Sequence, residues 1–168
     1  KHAFRGTTLW QTETVAREGR AGDNSSLAVD DGGYFHIVYD STSSDNPHVV
    51  KYVYQHATGW QTEVIGSGET GSLALDTQGF PRVSYVDCSA GRLEYAFQTL
   101  TSWHRESVDD AACGRSTSLA LDASDNPHIG YFDSQEGGLK YVHRGAAGWL
   151  IEVVDSTRRL LTDGEWSN

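Results

Sequence analysis

Apolar and polar residues alternate over short distances along this chain, and no apolar period of 3.6 residues persists long enough to predict a helix of ordinary length. Val, Ile, Tyr, Phe and Trp are concentrated instead in short segments, such as 127–133 and 149–155. β-Branched and aromatic residues favour strands. Turn-forming residues separate the segments, for example Asp30-Asp31-Gly32-Gly33. The pattern predicts short strands joined by tight turns.

The same pattern recurs three times. A Ser-Leu-Ala-Leu/Val-Asp segment begins at Ser26, Ser72 and Ser118, which are 46 residues apart, and a Tyr follows each Ser after 13 residues. Later in each unit, Lys or Glu precedes a second Tyr, a Trp follows that Tyr after eight residues, and a Glu follows the Trp after three. The three later sets are Lys51-Tyr52, Trp60 and Glu63; Glu94-Tyr95, Trp103 and Glu106; and Lys140-Tyr141, Trp149 and Glu152. A fixed period in the forties indicates a repeat architecture.

Each unit reads as four strands. In the third unit they are predicted at Ser118–Asp122, Pro127–Asp133, Leu139–His143 and Trp149–Asp155. Four strands per period and a recurring late Trp are typical of β-propeller blades. We therefore predict an all-β β-propeller with four-stranded antiparallel blades, in which the repeated Tyr and Trp side chains pack between blades.

The unit boundaries predict a single domain that begins in the middle of a blade. Residues 1–6 match residues 140–145, which belong to the second half of a unit. The expected organisation is a partial blade at 1–18, complete blades at about 24–66, 70–110 and 116–155, and a tail at 156–168. Within the tail, residues 159–163 faintly repeat the Ser-Leu-Ala-Leu-Asp pattern, which would begin another blade.

The combined pattern Ser-Leu-Ala-Leu-Asp, Asn-Pro-His-Ile-Gly-Tyr-Phe-Asp, Leu-Lys-Tyr and Trp-x-x-Glu resembles the repeat of secreted bacterial β-propellers. The resemblance covers residues 1 to about 155 and implies a secreted or extracellular protein. It is specific for the fold and carries little information about function. The sialidase Asp-box is absent, because Gly79 is not followed by Thr-Trp. The Trp-Asp dipeptide that marks another propeller family is absent as well.

A ring with unfinished blades leaves unpaired strand edges, which are an aggregation liability. Three solutions are open: one chain closes as a four-bladed ring, two chains form a ring of seven or eight blades, or the sequence is part of a longer chain. The absence of Met and the start at Lys1 favour a processed or excised piece. We expect a homodimer, or a missing partner segment that completes the ring.

The charge excludes some classes of partner. The formal net charge is −10, which argues against nucleic acid, since nucleic-acid binding depends on basic patches that neutralise phosphates. It also argues against an anionic membrane surface. No apolar run approaches the roughly 18 residues of a membrane-spanning helix.

The two cysteines occupy loops expected on one face of the propeller. Cys88 begins the loop between the second and third strands of the second blade, and Cys113 lies in the crossing to the third blade. We predict a Cys88–Cys113 disulfide, which would close a loop of about 25 residues, stabilise the fold by about 3 kcal/mol and indicate an oxidising compartment. The alternative is two free thiols in a reducing compartment.

Candidate binding residues lie on the same expected face. Asp40, Asp87 and Asp133 end the second strands, while Arg20 and Arg115 lie in blade crossings. Clustered carboxylates can bind Ca²⁺, and paired carboxylates can hydrolyse glycosides. The simpler interpretation is that each Asp forms a turn, because its side chain bonds to nearby backbone. No zinc spacing, nucleophile elbow or phosphate loop occurs, so we predict no catalytic residues and no cofactor beyond possible calcium.

These observations leave three functional hypotheses. The first is a secreted, non-catalytic binding or scaffold module that binds a glycan or a surface protein. The second is an extracellular polysaccharide lyase or glycoside hydrolase, with His36, His128 and Arg82 among its candidate residues. The third is an architectural subunit that assembles through open blade edges. Near-identical blades favour binding or architecture, because an enzyme site normally requires one blade to differ.

Overall fold

A computed structural model describes residues 1–5, 7–17, 20–42, 48–100, 102–110 and 116–156. The regular elements in these ranges are strands. They are β1 (His2–Arg5), β2 (Trp10–Glu13), β3 (Arg20–Val29), β4 (Phe35–Thr42), β5 (Val49–His56), β6 (Gly59–Ser67), β7 (Glu69–Leu75), β8 (Pro81–Asp87), β9 (Arg92–Gln98), β10 (Trp103–Asp109), β11 (Thr117–Leu121), β12 (Pro127–Asp133), β13 (Gly138–Gly145) and β14 (Gly148–Asp155). No helix in the described ranges has the length and apolar character needed to cross a bilayer.

The strands form one two-stranded and three four-stranded antiparallel sheets. In every sheet the strands neighbour each other in chain order, so each sheet is a meander. We name β3–β6 the first blade, β7–β10 the second blade, β11–β14 the third blade, and β1–β2 the N-terminal hairpin. The predicted fold class is confirmed: the protein is a β-propeller with three complete blades and a partial one.

Aspartate side chains end the first strand of each blade. The Asp122 carboxylate accepts hydrogen bonds from the backbone N–H groups of Ser124 and Asn126, both at 2.8 Å. Asp76 accepts the corresponding bonds from Gln78 and Phe80. Because the carboxylate already belongs to the turn, β11 ends at Leu121, one residue before the predicted end.

Apolar side chains form one core between each pair of complete blades. At the first junction, between the first and second blades, the buried residues are Val38, Val50, Tyr52, Ile65, Leu73, Val83, Tyr85 and Ala96. At the second junction, between the second and third blades, they are Val86, Leu93, Tyr95, Val108, Leu119, Ile129, Tyr131 and Val142. The middle strands of the second blade are therefore covered on both faces, and the predicted role of Tyr85 and Tyr131 in packing between blades is confirmed.

The repeated Ser links neighbouring blades. The Ser26 hydroxyl accepts a hydrogen bond from the backbone N–H of Leu73 at 3.1 Å, and Ser72 accepts one from Leu119 at 3.0 Å. Each bond joins the first strand of one blade to the first strand of the next. This explains why Ser recurs at the strict spacing of 46 residues.

The repeated Trp also joins each blade to the preceding one. Trp103 lies edge-on to Tyr52, with ring centroids 5.3 Å apart, and its indole N–H donates to Glu63 at 2.6 Å. Trp149 makes the same edge contact with Tyr95 at 5.3 Å and donates to Glu106 at 3.2 Å. The predicted packing role of these Trp residues is confirmed, and the repeated Glu residues Glu63 and Glu106 each accept a hydrogen bond from the indole of the next unit.

Candidate functional site

The first junction opens towards solvent in a groove along the second blade. The groove has a volume of about 630 Å³, and its lining includes Tyr85, Arg92, Glu94, Trp103, Arg105 and Ser107. It thus brings the carboxylates of Glu94 and Asp87, two guanidinium groups and an indole around one opening, with the buried Tyr85 beneath them. Binding sites combine apolar walls with a few polar groups in this way.

Strand register places the charged residues of the groove on one face of the sheet. Tyr85 lies directly opposite Glu94 on the neighbouring strand, and Glu94 lies opposite Ser107. Arg105 precedes Ser107 by two residues, so its side chain leaves the same face of the strand. Tyr85 belongs to the core of the first junction. The three strands therefore direct Glu94 and Arg105 towards the first blade.

Glu94 is half-buried, and its burial disfavours the ionised form of its carboxyl group. Burial raises the pKa of the Glu94 carboxyl above its usual 4.5, while the charges of Arg92 and Arg105 act against that rise. Arg92 instead pairs with Asp110 at 3.1 Å. A partly desolvated carboxylate gains more from a hydrogen-bond donor than one fully in water does. Glu94 is therefore suited to accept hydrogen bonds from a ligand.

A glycine on the first blade keeps space for the groove's guanidinium group. Burial raises the pKa of Tyr85 to about 12, and a hydrogen bond with Arg105 opposes that rise. A Cβ atom at Gly66 would lie 2.7 Å from the Tyr85 hydroxyl and 2.9 Å from Arg105 Nη1. Any side chain at position 66 would therefore displace this pair.

The equivalent position at the second junction is filled by protein charges. The Lys140 ammonium, which is buried, lies 2.7 Å from Asp133, 3.0 Å from Glu136 and 3.3 Å from Asp109. The Tyr131 hydroxyl also donates to Asp109 at 2.5 Å. Burial alone would raise the pKa of Asp133, but hydrogen bonds from Lys140 and from two backbone N–H groups outweigh burial and lower it. These charges satisfy one another within the protein.

The difference between the junctions is visible in the repeat. Glu94 occupies the position of Lys51 and Lys140, which reverses the charge. Gly66 occupies the position of Asp109, and Arg105 that of Thr62 and Ile151. Sequence reasoning recorded the Lys/Glu alternation but missed its functional meaning, because the alternation alone does not show which blade a side chain faces.

The three predicted aspartates lie at blade ends, where each bonds to its own surroundings. Asp40 accepts from the Asn24 backbone N–H at 3.0 Å and from its amide at 3.2 Å. Asp87 accepts from Ser89 and from the backbone N–H of Ala90. Asp133 is the buried partner of Lys140. Of the three, only Asp87 lines the groove, and ligand binding by these residues stays a prediction.

Of the other predicted residues, Arg20 and Cys88 lie in the described ranges. Arg20 begins β3, where its backbone pairs with Thr42, and its side chain is outside the described part. Arg115 and Cys113 lie outside the described residues, as does the echo at 159–163, so the Cys88–Cys113 disulfide stays a prediction. Cys88 itself lines a small pocket of about 190 Å³ with His48, Glu69 and Asp87.

Metal ligation by a cluster finds no support in the described ranges. Within them, no three or more His, Cys, Asp or Glu side chains are grouped to hold a metal ion. Calcium requires six to eight oxygen ligands. The carboxylates described above bond instead to backbone N–H groups, amides or Lys140.

Each of the repeated histidines His36 and His128 bonds to a Tyr hydroxyl within its own blade. His36 Nδ1 lies 2.5 Å from the Tyr52 hydroxyl, and its Nε2 lies 3.4 Å from Asp30. His128 makes the same 2.5 Å contact with Tyr141. Both His36 and Tyr52 are buried. The lyase hypothesis required these groups at an accessible channel mouth, and the pair in the first blade does not meet that requirement.

Comparisons with known proteins support the fold. The chain is similar to a fucose lectin from Kordia zhangzhouensis whose structure was solved in complex with methyl-fucoside. The TM-score is 0.55 at 15% sequence identity, over 77% of this chain and 97% of the lectin chain. At this identity the likeness concerns the fold alone. No protein-family model matches the sequence, and no curated protein matches it significantly.

Proposed function

We propose that the protein is a non-catalytic carbohydrate-binding propeller that acts outside the cell, and that it binds a neutral glycan in the groove at the first junction. The observation that carries this proposal is the half-buried Glu94 beside Arg105 in an open groove. Its fold likeness to a fucose lectin supports the same class of function.

The chemistry of the groove suits adjacent sugar hydroxyls. A hydroxyl group both donates and accepts hydrogen bonds. The Glu94 carboxylate accepts two such bonds, and the Arg105 guanidinium donates two in a planar fork. Together they match a pair of neighbouring hydroxyls, with one group taking protons and the other giving them. Bonds to charged groups are the stronger ones.

The aromatic wall and the overall charge narrow the ligand class. Trp103 lines the groove and is fixed through its bond to Glu63, so it presents a rigid apolar surface to the carbon-bound hydrogens of a sugar ring. The net charge of −10 disfavours a polyanionic glycan. A neutral sugar fits both features.

The position of the groove's polar side chains on strands favours a pre-formed binding site. Tyr85, Glu94 and Arg105 come from three adjacent strands of one blade, and groups held by strands are positioned more accurately than groups on loops. A ligand would therefore meet a largely pre-formed site.

The test is a glycan array followed by calorimetry on the best neutral ligand. Glu94→Gln removes the charge but keeps the shape, so the dissociation constant should rise about tenfold to a hundredfold, as expected for loss of charged hydrogen bonds worth about 1.5–3 kcal/mol. Asp31→Asn, an exposed change in the turn after the first strand of the first blade, serves as the control and should bind like the wild type.

Two results would count against the proposal. An array on which the folded protein binds no glycan would reject the lectin function. Glycan binding that Glu94→Gln leaves unchanged would reject the groove as the site.

A further inference from the structure

We propose that the protein associates head to tail with a second copy of itself, and that Trp10 of one copy packs against Tyr141 and Glu152 on the third blade of the other. The inference is independent of glycan binding. It rests on two halves of the blade-to-blade contact that lie at opposite ends of the chain.

The first half is the indole of the N-terminal hairpin. Trp60, Trp103 and Trp149 each lie edge-on to the aromatic ring of the preceding unit. Trp10 holds the same repeat position, three residues before Glu13, but is 71% exposed. No described strand precedes β1, so no earlier unit of the described chain receives this indole.

The second half is the outer face of the third blade. On the first blade, Val50 and Ile65 are buried against the second blade, with 0% and 4% exposure. Their counterparts on the third blade are Leu139 and Val154, which are 46% and 60% exposed. The residue types suit an interface, and exposed apolar surface of this kind marks an interaction site.

The acceptors for an incoming indole are also present on this face. Tyr141 and Glu152 occupy the positions of Tyr52 and Glu63, which hold the Trp103 ring edge and its N–H. The Glu152 side chain is 65% exposed and lies 3.7 Å from His143. Among the described sheets, the N-terminal hairpin therefore carries a donor half, and the third blade carries a matching acceptor half.

A cleft lies between the N-terminal hairpin and the first blade. The cleft has a volume of about 260 Å³ and is lined by His2, Leu27 and Tyr39 among others. Leu27 is half-exposed, whereas its counterpart Leu73 is buried at the first junction. His2 Nε2 is buried without a described hydrogen-bond partner. The hairpin that presents Trp10 therefore borders an open cleft in the described structure.

A second copy is the occupant that satisfies both halves at once. Within the described part of one chain, Trp10 and the third-blade residues Leu139 and Val154 are all exposed. A closed pair has two identical head-to-tail junctions and leaves neither half uncovered, whereas copies whose contacts did not close would extend into a filament. The described residues of each copy form four sheets, so those of the pair form eight.

The first test is the mass of the 168-residue chain in solution by light scattering and native mass spectrometry. We expect twice the chain mass of 18.4 kDa. Trp10→Ala and Val154→Arg each change an exposed residue and should each give single chains with an unchanged circular dichroism spectrum. Leu100→Ser, at an exposed residue in the β9–β10 turn, is the control and should keep the pair.

Mixing the two variants tests the head-to-tail arrangement. A pair of one Trp10→Ala chain and one Val154→Arg chain has one intact junction, so mixing should recover two-chain particles that neither variant forms alone. A single-chain mass for the wild type would overturn the proposal, however the chain ends are then covered. Failure of the mixture to pair, when both variants are folded single chains, would overturn the head-to-tail contact.

Discussion

The first and second junctions use the same strand positions for opposite purposes. At the second junction, Lys140 is enclosed by Asp133 and Asp109, so the charges pair within the protein. At the first junction, Glu94 occupies the repeat position of Lys140, and Gly66 occupies the repeat position of Asp109. The pairing is lost, and the groove opens in its place.

This comparison shows how one junction of a repeat protein differs from the next without a change of fold. The Ser and Trp contacts between blades occur at both junctions, so they join neighbouring blades whichever charged residues lie beside them. Substitutions beside them then determine whether a junction is closed by ion pairs or left open to a ligand. The blade scaffold and the candidate site are thus encoded by different positions of the same repeat.

The largest expected effect is on the closed junction. Lys140→Met leaves the buried Asp133 without its cation, and breaking a buried ion pair on one side costs about 3–5 kcal/mol. The free energy of unfolding, measured in urea, should fall by that amount. Glu94→Gln at the equivalent position is the matched comparison and should cost less than about 1 kcal/mol, because a half-buried carboxylate becomes neutral. Equal costs would contradict the distinction between the junctions.

Closing the open junction should be the next largest effect. Gly66→Ala introduces a Cβ atom 2.7 Å from the Tyr85 hydroxyl, and overpacking of this kind costs about 1–3 kcal/mol. The change should also weaken glycan binding, since Arg105 must move. Gly130→Ala is the control, because a Cβ there meets nothing within 4 Å. A Gly66→Ala protein as stable as Gly130→Ala would show that the space is not needed.

Much of the fold followed from the sequence, because strand and turn chemistry repeat within it. The spacing from Ser118 to Tyr131 predicted two paired strands, and β12 has the predicted bounds. The candidate site was harder to predict. The sequence pattern indicated Asp40, Asp87 and Asp133, because acidic residues in loops resemble ligands. Their carboxylates bond to nearby backbone, amide or Lys groups, and Asp87 also lines the groove. Glu94 is recognisable only once its strand face and the opposing Gly66 are known.

A comparable effect is expected for the contact that both junctions share. Ser72→Ala removes the acceptor for the Leu119 backbone N–H, and leaving a buried donor without a partner costs about 1–3 kcal/mol. Ser26→Ala should cost a similar amount at the first junction. Ser118→Ala changes the exposed third-blade residue at the same repeat position and should lie within about 0.5 kcal/mol of the wild type. Urea unfolding of the three variants would measure the difference, and a cost for Ser118→Ala equal to the others would contradict it.

The smallest effect is a pH dependence that is opposite at the two junctions. Burial raises the pKa of Glu94, so the stability it contributes is present below its usual 4.5 and is lost as pH rises through the raised value. The pKa of Asp133 is lowered, so its contribution is present above its usual 3.8 and is lost as pH falls through the lowered value.

Glu94→Gln should therefore gain stability relative to the wild type as pH rises from about 4.5 towards 7. Asp133→Asn should show its full deficit at neutral pH and lose that deficit in acid. Urea titrations of both variants between pH 3 and 7 would measure these trends. If the stability of Glu94→Gln ran parallel to that of the wild type over this range, Glu94 would be as well solvated as an ordinary surface carboxylate. The physical reason for a ligand to bind there would then be removed.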